Sequence, residues 1–449
     1  MRWRTLGAML AVVLIGAGVG VASWLAKAIP VGTGLAAKHL CSLHFVSGLP
    51  VDRARALYVD PFVEPLTPFL EVVVDRQAAT LEARGLGSRA RARFREGYGC
   101  TLLHGDGALQ PARGVRSAAP PEETVDVAHR DTHFDADAVA AALDTAFANP
   151  GGRRNTLAVA VYHDDALVAE RYAEGIDAAT PLPGWSMTKS VTATLVGIAV
   201  AEGRLDPDTP GILPEWAGTD DARAAITLDH LLRMTGGLRL TEDKSGTDPA
   251  SQLLFLEPDA AAFSARQPLL HEVGETFDYM SGSTVLAARA LREATGGTLA
   301  ANYRWMQTRL FDPLGMTSAI PEPDPSGTFV GSSFMLATAR DWAKLGRLYA
   351  RGGDWYGMRV LEPAWIERVL TWTPESGDAA YGAGFWLNRH GAGLRHPELP
   401  EDAFAMDGFQ GQFVWVVPSA DLVVVRLGAT AGVPTGTVPL VRALLDART

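Results

Sequence analysis

Pro183-Gly184-Trp185-Ser186-Met187-Thr188-Lys189-Ser190, running on into the stretch Val191 to Ala201, is the segment from which the rest of the chain is read. Residues 191–201 are apolar or small on every side, which predicts a helix buried in the middle of a domain rather than lying on its surface. Ser186 then sits at the N-terminus of that helix, where backbone N–H groups and the helix dipole favour developing negative charge. Positions i and i+3 share a helix face, so the Lys189 amine can reach the Ser186 hydroxyl. A buried lysine loses much of its proton affinity, and the neutral amine can take the hydroxyl proton as Ser186 attacks a carbonyl. That is acyl-transfer chemistry without a histidine. By itself the four-residue spacing is a weak signal, and a plain N-cap serine accounts for Ser186 equally well. It does not account for Lys189 at the mouth of an apolar helix.

Outward from this helix, the two ends of the chain read as strands. Asp135 opens a helix that ends near Asn149-Pro150-Gly151-Gly152. Thr156 to His163 and Ala166 to Tyr172 flank a short Asp164-Asp165 turn, an antiparallel hairpin pattern. Gln412 to Val417 and Leu422 to Leu427 flank Pro418-Ser419-Ala420-Asp421 in the same way, and Tyr381 to Leu387 predicts a further strand before them. Strands from both ends around a helix-rich middle, residues 186–370, predict an α+β fold. One antiparallel sheet would be completed by N- and C-terminal segments, with flanking helices that include Val438 to Ala447.

Composition sets the bounds. With 449 residues, 47% hydrophobic and 20% charged, the chain has apolar material for a full core and more length than one ordinary domain. A net charge of −11 argues against a nucleic-acid partner. Arg2 and Arg4 precede an uncharged run from Thr5 to Ala26, long enough to span a bilayer with the remainder exported. Ala26-Lys27-Ala28 also fits a small-x-small cleavage site, so anchor and cleaved leader both stay open for residues 1–28. The expected location is a bacterial-type inner membrane with the following domain on the periplasmic side, or secretion if the leader is removed.

Residues 29–125 form a membrane-proximal segment closed by the linker Ala118-Ala119-Pro120-Pro121-Glu122-Glu123, with a helix expected from Ser88 to Arg95 whose arginines face water. The segment carries no catalytic motif, and its expected role is a stalk or a cover on the domain at 126–449. Cys41 and Cys100 could pair in an oxidising compartment or stand as two separate buried thiols. HExxH and clustered Cys/His spacings are absent, so neither a metal site nor a cofactor is expected.

The segments around Ser186 also follow a familiar order. Pro183 to Ser190 resembles the nucleophile motif of the serine beta-lactamase and penicillin-binding-protein superfamily, in particular its class C-like branch. Glu202-Gly203-Arg204-Leu205-Asp206, Ile226 to Leu238, Gly331-Ser332-Ser333 and Thr338 to Ala343 resemble further segments in that order, over about residues 135–449. The resemblance implies a beta-lactamase/transpeptidase-like fold and a serine hydrolase. Phe277-Asp278-Tyr279-Met280-Ser281 stands where the family has Tyr-x-Asn, which implies that Tyr279 relays a proton to the leaving group and shares the base role as a phenolate, with Ser281 replacing the asparagine. Ala405-Met406-Asp407-Gly408-Phe409-Gln410-Gly411-Gln412 stands where a cation, any residue and glycine are usual. By this likeness the Phe409 and Ser186 N–H groups would form the oxyanion hole, and Ser281, Gly408 and Gln412 would face the substrate.

Met406 in the cation's place turns the expectation from penicillins toward uncharged esters and linear amides, and the pattern resembles the branch of 6-aminohexanoate-dimer hydrolases and esterases. The alternatives are a cell-wall peptidase or a sensor that is acylated without turnover. An α/β-hydrolase is the disfavoured rival, since its Gly-x-Ser-x-Gly elbow breaks at Thr188. The expected partners are a small ester or amide and, through the N-terminal helix, the membrane; oligomeric state is not legible.

Overall fold

The computed structural model describes residues 2–449 apart from Pro65, 106–122, 217–219 and Lys244, and for residues 2–21 only the course of the backbone. The chain opens with helix α1 (Arg2–Phe45) and a four-stranded antiparallel meander, β1 (Glu71–Asp75), β2 (Thr80–Gly85), β3 (Ser88–Arg95) and β4 (Gly99–Leu103). Helix α2 (Ala136–Phe147) leads into the hairpin β5 (Arg154–His163) and β6 (Ala166–Tyr172). The middle of the chain supplies α3 (Met187–Ala201), α4 (Ser281–Ala294) and α5 (Ala339–Ala350). Strands β7 (Trp386–Leu387), β8 (Phe404–Gly408), β9 (Gln412–Val417) and β10 (Leu422–Thr430) and helix α6 (Thr437–Asp446) close it.

The main sheet has the order β7-β8-β9-β10-β5-β6 and is antiparallel throughout. β10 pairs with β5 from Leu422 opposite His163 to Thr430 opposite Arg154, so the two ends of the domain are joined at the sheet's centre. Asp164 and Asp165 both adopt positive φ (49° and 70°), the backbone of a two-residue hairpin turn that matches strand twist. Strand periodicity divides the side chains between two cores. Ala158, Ala160 and Tyr162 face one core together with Val423, Val425 and α3 and α5, whereas Val159, Val161, Leu422 and Val424 face α2 and α6. Buried on both faces, β5 and β10 read as continuous apolar runs rather than alternating ones.

Two expected elements change. Ser88 to Arg95 is a strand, not a helix: Arg89, Arg91 and Arg93 alternate outward while Ala90, Ala92 and Phe94 turn in, and Leu86-Gly87 at φ 47° and 83° makes the preceding tight turn. Period two, rather than arginine content, is the signal that decides it. The strand expected at Tyr381 to Leu387 shrinks to Trp386–Leu387, with Tyr381 making a lone bridge to Trp386. Gly384 at φ 88° turns the chain there, and a Cβ on it would lie 3.0 Å from the Ala193 methyl on α3. Ser190 Oγ donates to the Gly384 carbonyl at 2.6 Å and fastens the bend to the helix.

The described residues from Val31 to Leu102 share hydrophobic cores with the larger domain and pack on it as a cover. Cys41 on α1 is joined by a disulfide to Cys100 on β4. Lys38 pairs with Glu322, both essentially buried, and Glu322 also accepts from Ser42 Oγ at 2.8 Å. Gly34 is needed because a Cβ there would lie 2.5 Å from the Phe255 carbonyl oxygen. Among the described residues no helix is long and apolar enough to cross a membrane. The side chains of 5–21, most of the expected span, lie outside those described, as do residues 118–122 of the expected linker.

Candidate active site

Ser186 is delivered by a strained turn. Gly184 N–H donates to the Met335 carbonyl at 2.9 Å, and a Cβ on Gly184 would lie 2.1 Å from the Trp342 ring. Trp185 then takes φ 48°, a conformation that costs a non-glycine residue of order 1–3 kcal/mol. Its ring is held from three sides: Nε1 donates to Gln410 Oε1 at 2.9 Å, and the rings of His39 and Phe409 stand 4.2 and 5.2 Å away. Ser186 caps α3 at φ −65° without a side-chain capping bond. Its place as N-cap thus leaves the hydroxyl uncommitted to capping. The hydroxyl oxygen instead accepts from Lys189 Nζ at 3.1 Å.

Lys189 is 1% exposed. Besides Ser186, its amine reaches Ser281 Oγ and the Ser332 carbonyl, each at 3.2 Å. Burial pulls its pKa down to about 8, against a smaller opposing pull from the Glu242 carboxylate. With the ammonium deprotonated, two N–H bonds still point to Ser281 and Ser332 and the lone pair is left for the Ser186 proton. Ser281 is in turn held by Glu242, which accepts from its N–H at 2.9 Å and its hydroxyl at 2.8 Å.

Tyr279 stands beside Ser186, which acts on its hydroxyl, and its ring centroid is 4.7 Å from Lys189 Nζ. Burial raises its hydroxyl well above the ordinary tyrosine value, Tyr381, Glu242 and Asp407 add to the rise, and the Ser186 contact opposes it. That shift favours the phenol, a form able to give a proton, and works against the expected share in the base role.

The remaining expected residues separate. Gly408 lies against the nucleophile turn so closely that a Cβ would be 2.1 Å from the Gly184 carbonyl oxygen. Phe409 and Ser186 line the same cavity. Gln412 does not face it: wholly buried, it donates from Nε2 to the Phe409 carbonyl at 3.0 Å and the Gly428 carbonyl at 2.5 Å, and accepts from Gly428 N–H at 2.9 Å. It braces β9 against β10. Ser281, 1% exposed, orients Lys189 rather than meeting substrate. Met406 points into the core, and the charged residue of β8 on the cavity is Asp407.

Glu242 and Trp185 were not singled out from the sequence. Glu242 follows the Ile226 to Leu238 segment by four residues with no spacing to mark it. Trp185 sat in plain view beside the nucleophile, but only its positive φ reveals its work. Away from this site, His129, His163 and Asp164 bring potential ligand atoms within 4.8 Å of one another, a grouping no spacing in the sequence announced. His129 Nε2 and His163 Nδ1 share a 2.9 Å hydrogen bond there, on the α2 face of the sheet.

A serine paired with a lysine one turn along a buried helix, beside an antiparallel sheet made from both chain ends, defines the lysine-assisted class of serine hydrolase folds. The chain belongs to the Beta-lactamase family, whose sequence model matches residues 136–447. A 6-aminohexanoate-dimer hydrolase from Paenarthrobacter ureafaciens is 26% identical over 272 residues, 54% of this chain; the chain spans 65% of that relative's length. Among solved structures, a penicillin-binding-protein homolog from Caulobacter crescentus matches with a TM-score of 0.54 at 21% identity, over 69% of this chain and 97% of that one. A D-stereospecific amidohydrolase from Streptomyces sp. matches with a TM-score of 0.53 at 17% identity, over 69% of this chain and 98% of that one. These structural likenesses are likenesses of fold.

Proposed function

We propose that the chain is an exported serine hydrolase that cleaves an ester or linear amide through an acyl-enzyme on Ser186. The observation that carries this reading is the buried Lys189 amine, with a pKa near 8 and a direct hydrogen bond to Ser186. The neutral amine takes the Ser186 proton as Oγ attacks the carbonyl carbon. The oxyanion is received by the backbone N–H groups of Ser186 and Phe409. As the bond to the leaving group breaks, Tyr279 gives its proton to the departing oxygen or nitrogen, and the Lys189 ammonium restores it. Water then attacks the acyl carbon and loses its proton to Lys189, and Ser186 leaves reprotonated, so one water is consumed per bond cleaved.

The names of the 6-aminohexanoate-dimer hydrolase and the amidohydrolase support an amide or ester substrate. Asp407 at the cavity, with Met406 turned inward, supports the exclusion of anionic substrates. Export rests on the Cys41–Cys100 disulfide, which persists in oxidising compartments. The test is Ser186→Ala: ester turnover and fluorophosphonate labelling should both vanish. Turnover that survives the substitution overturns the nucleophile, and labelling of the native chain without turnover on esters or amides overturns hydrolysis.

A further inference from the structure

The cavity that holds Ser186 has a volume of about 600 Å³, and one of its walls comes from outside the family's matched region. Leu25, Ile29 and Leu35 of α1 line it, together with Phe62 and Leu66 from the segment that follows the helix. The spacing 25, 29, 32, 35 keeps to one helix face, with Gly32 in the stripe because Leu66 packs there: a Cβ would lie 2.7 Å from its Cδ1. From Leu25 to Leu35 the helix offers an apolar strip of about 15 Å. Polar groups meet the nucleophile: Glu242 and Asp407, which line the cavity together with Asp248 and Asp278, act on the Tyr279 hydroxyl beside Ser186.

We infer that α1 is part of the substrate site, and that the substrate is an ester or amide carrying a medium- or long-chain hydrocarbon, seated along α1 with its carbonyl at Ser186 and a neutral or cationic group among the carboxylates. The inference rests on the hydrolase reading above. A cavity apolar along one wall and polar at the nucleophile orients such a molecule by the burial of its methylenes alone. Each methylene laid on the strip contributes a gain of about four-fold in kcat/KM until the strip is covered.

The test uses the full chain and two homologous series, p-nitrophenyl esters from acetate to dodecanoate and n-alkyl acetates over the same lengths. The expected result is a rise of about four-fold per methylene in at least one series, ending in a plateau. A flat or falling profile in both, with Ser186 still labelled by fluorophosphonate and acetate still hydrolysed, overturns the inference and leaves the hydrolase reading standing. Loss of labelling and of all turnover would instead overturn the reading beneath it. Ile29→Asp and Leu66→Asp should each lower the octanoate-to-acetate ratio of kcat/KM at least ten-fold, and an unchanged ratio removes α1 from the site. Should either variant fail to fold, Ala28→Trp narrows the same wall without placing a charge in it, and the chain length at the plateau should shorten.

Discussion

Lys189 must be neutral to accept a proton, and the fold makes it so by burial rather than by a neighbouring cation. The acylation limb of kcat/KM should therefore rise with pH and level off above about 8, a profile that stopped-flow ester hydrolysis records directly. Glu242 favours the ammonium, so Glu242→Gln should move that limb to lower pH while the glutamine oxygen still accepts from Ser281. A limb that moves up or stays would mean that Glu242 does not favour the ammonium. The linkage has a definite sign. Below about 8 both folded and unfolded chains hold the proton, and burying the charge costs stability; between 8 and the ordinary lysine value of 10.5 the folded chain has released a proton that the unfolded one keeps. This group's contribution to stability thus improves as pH rises through that window. Gly408 makes the other single-residue argument. Its Cα approach to Gly184 leaves no room for a methyl, so Gly408→Ala should cost about 1–3 kcal/mol in denaturant melts and lower kcat as the Ser186 turn is pushed away.

Elements were legible where one period ran cleanly. The apolar helix at Ser186, the Asp164-Asp165 hairpin, the pair β9 and β10 and the last helix all follow from periodicity and turn residues. Misread segments carried two signals at once. In β3 the arginines suggested a solvated helix face while their strict alternation meant a strand, and near Tyr381 one glycine broke a run of strand-forming residues. At the site, Ser186 and Lys189 were legible from their spacing on a buried helix and Tyr279 from its place in the family-like order of segments, and the fold brings them together. Glu242 was not, since a carboxylate that holds a serine that holds a lysine leaves no spacing to read. Gln412 was assigned to substrate because its position followed a motif, yet its amide ties β9 to β10. Gln412→Ala should consequently lower thermal stability by roughly 1–3 kcal/mol, with kcat reduced through the loosened Phe409 carbonyl and KM for a small ester little changed. A rise in KM alone would restore it to the substrate.

On the scale of the whole molecule, the cover is stapled within itself by the Cys41–Cys100 disulfide and joined to the larger domain by the buried Lys38–Glu322 ion pair. Lys38→Met leaves Glu322 buried without its cation and should destabilise by about 3–5 kcal/mol, while Lys38→Met with Glu322→Gln together should recover part of that loss. Equal loss in the single and double variants would mean that packing, not charge, holds the joint. The disulfide closes a sequence separation of 59, and its reduction should cost about 4 kcal/mol by loop entropy.

The pairing of β5 with β10 bears on the order in which the chain is made. β5 is among the first strands of its sheet to be synthesised, and the neighbour that covers one of its edges is the last. Until that strand arrives, a ten-residue strand with an apolar run from Leu157 to Tyr162 has an open edge, and contacts of such long range form slowly. A chain stopped before Leu422 would carry Ser186, Lys189 and Tyr279 intact and still be a template for pairing with its own copies.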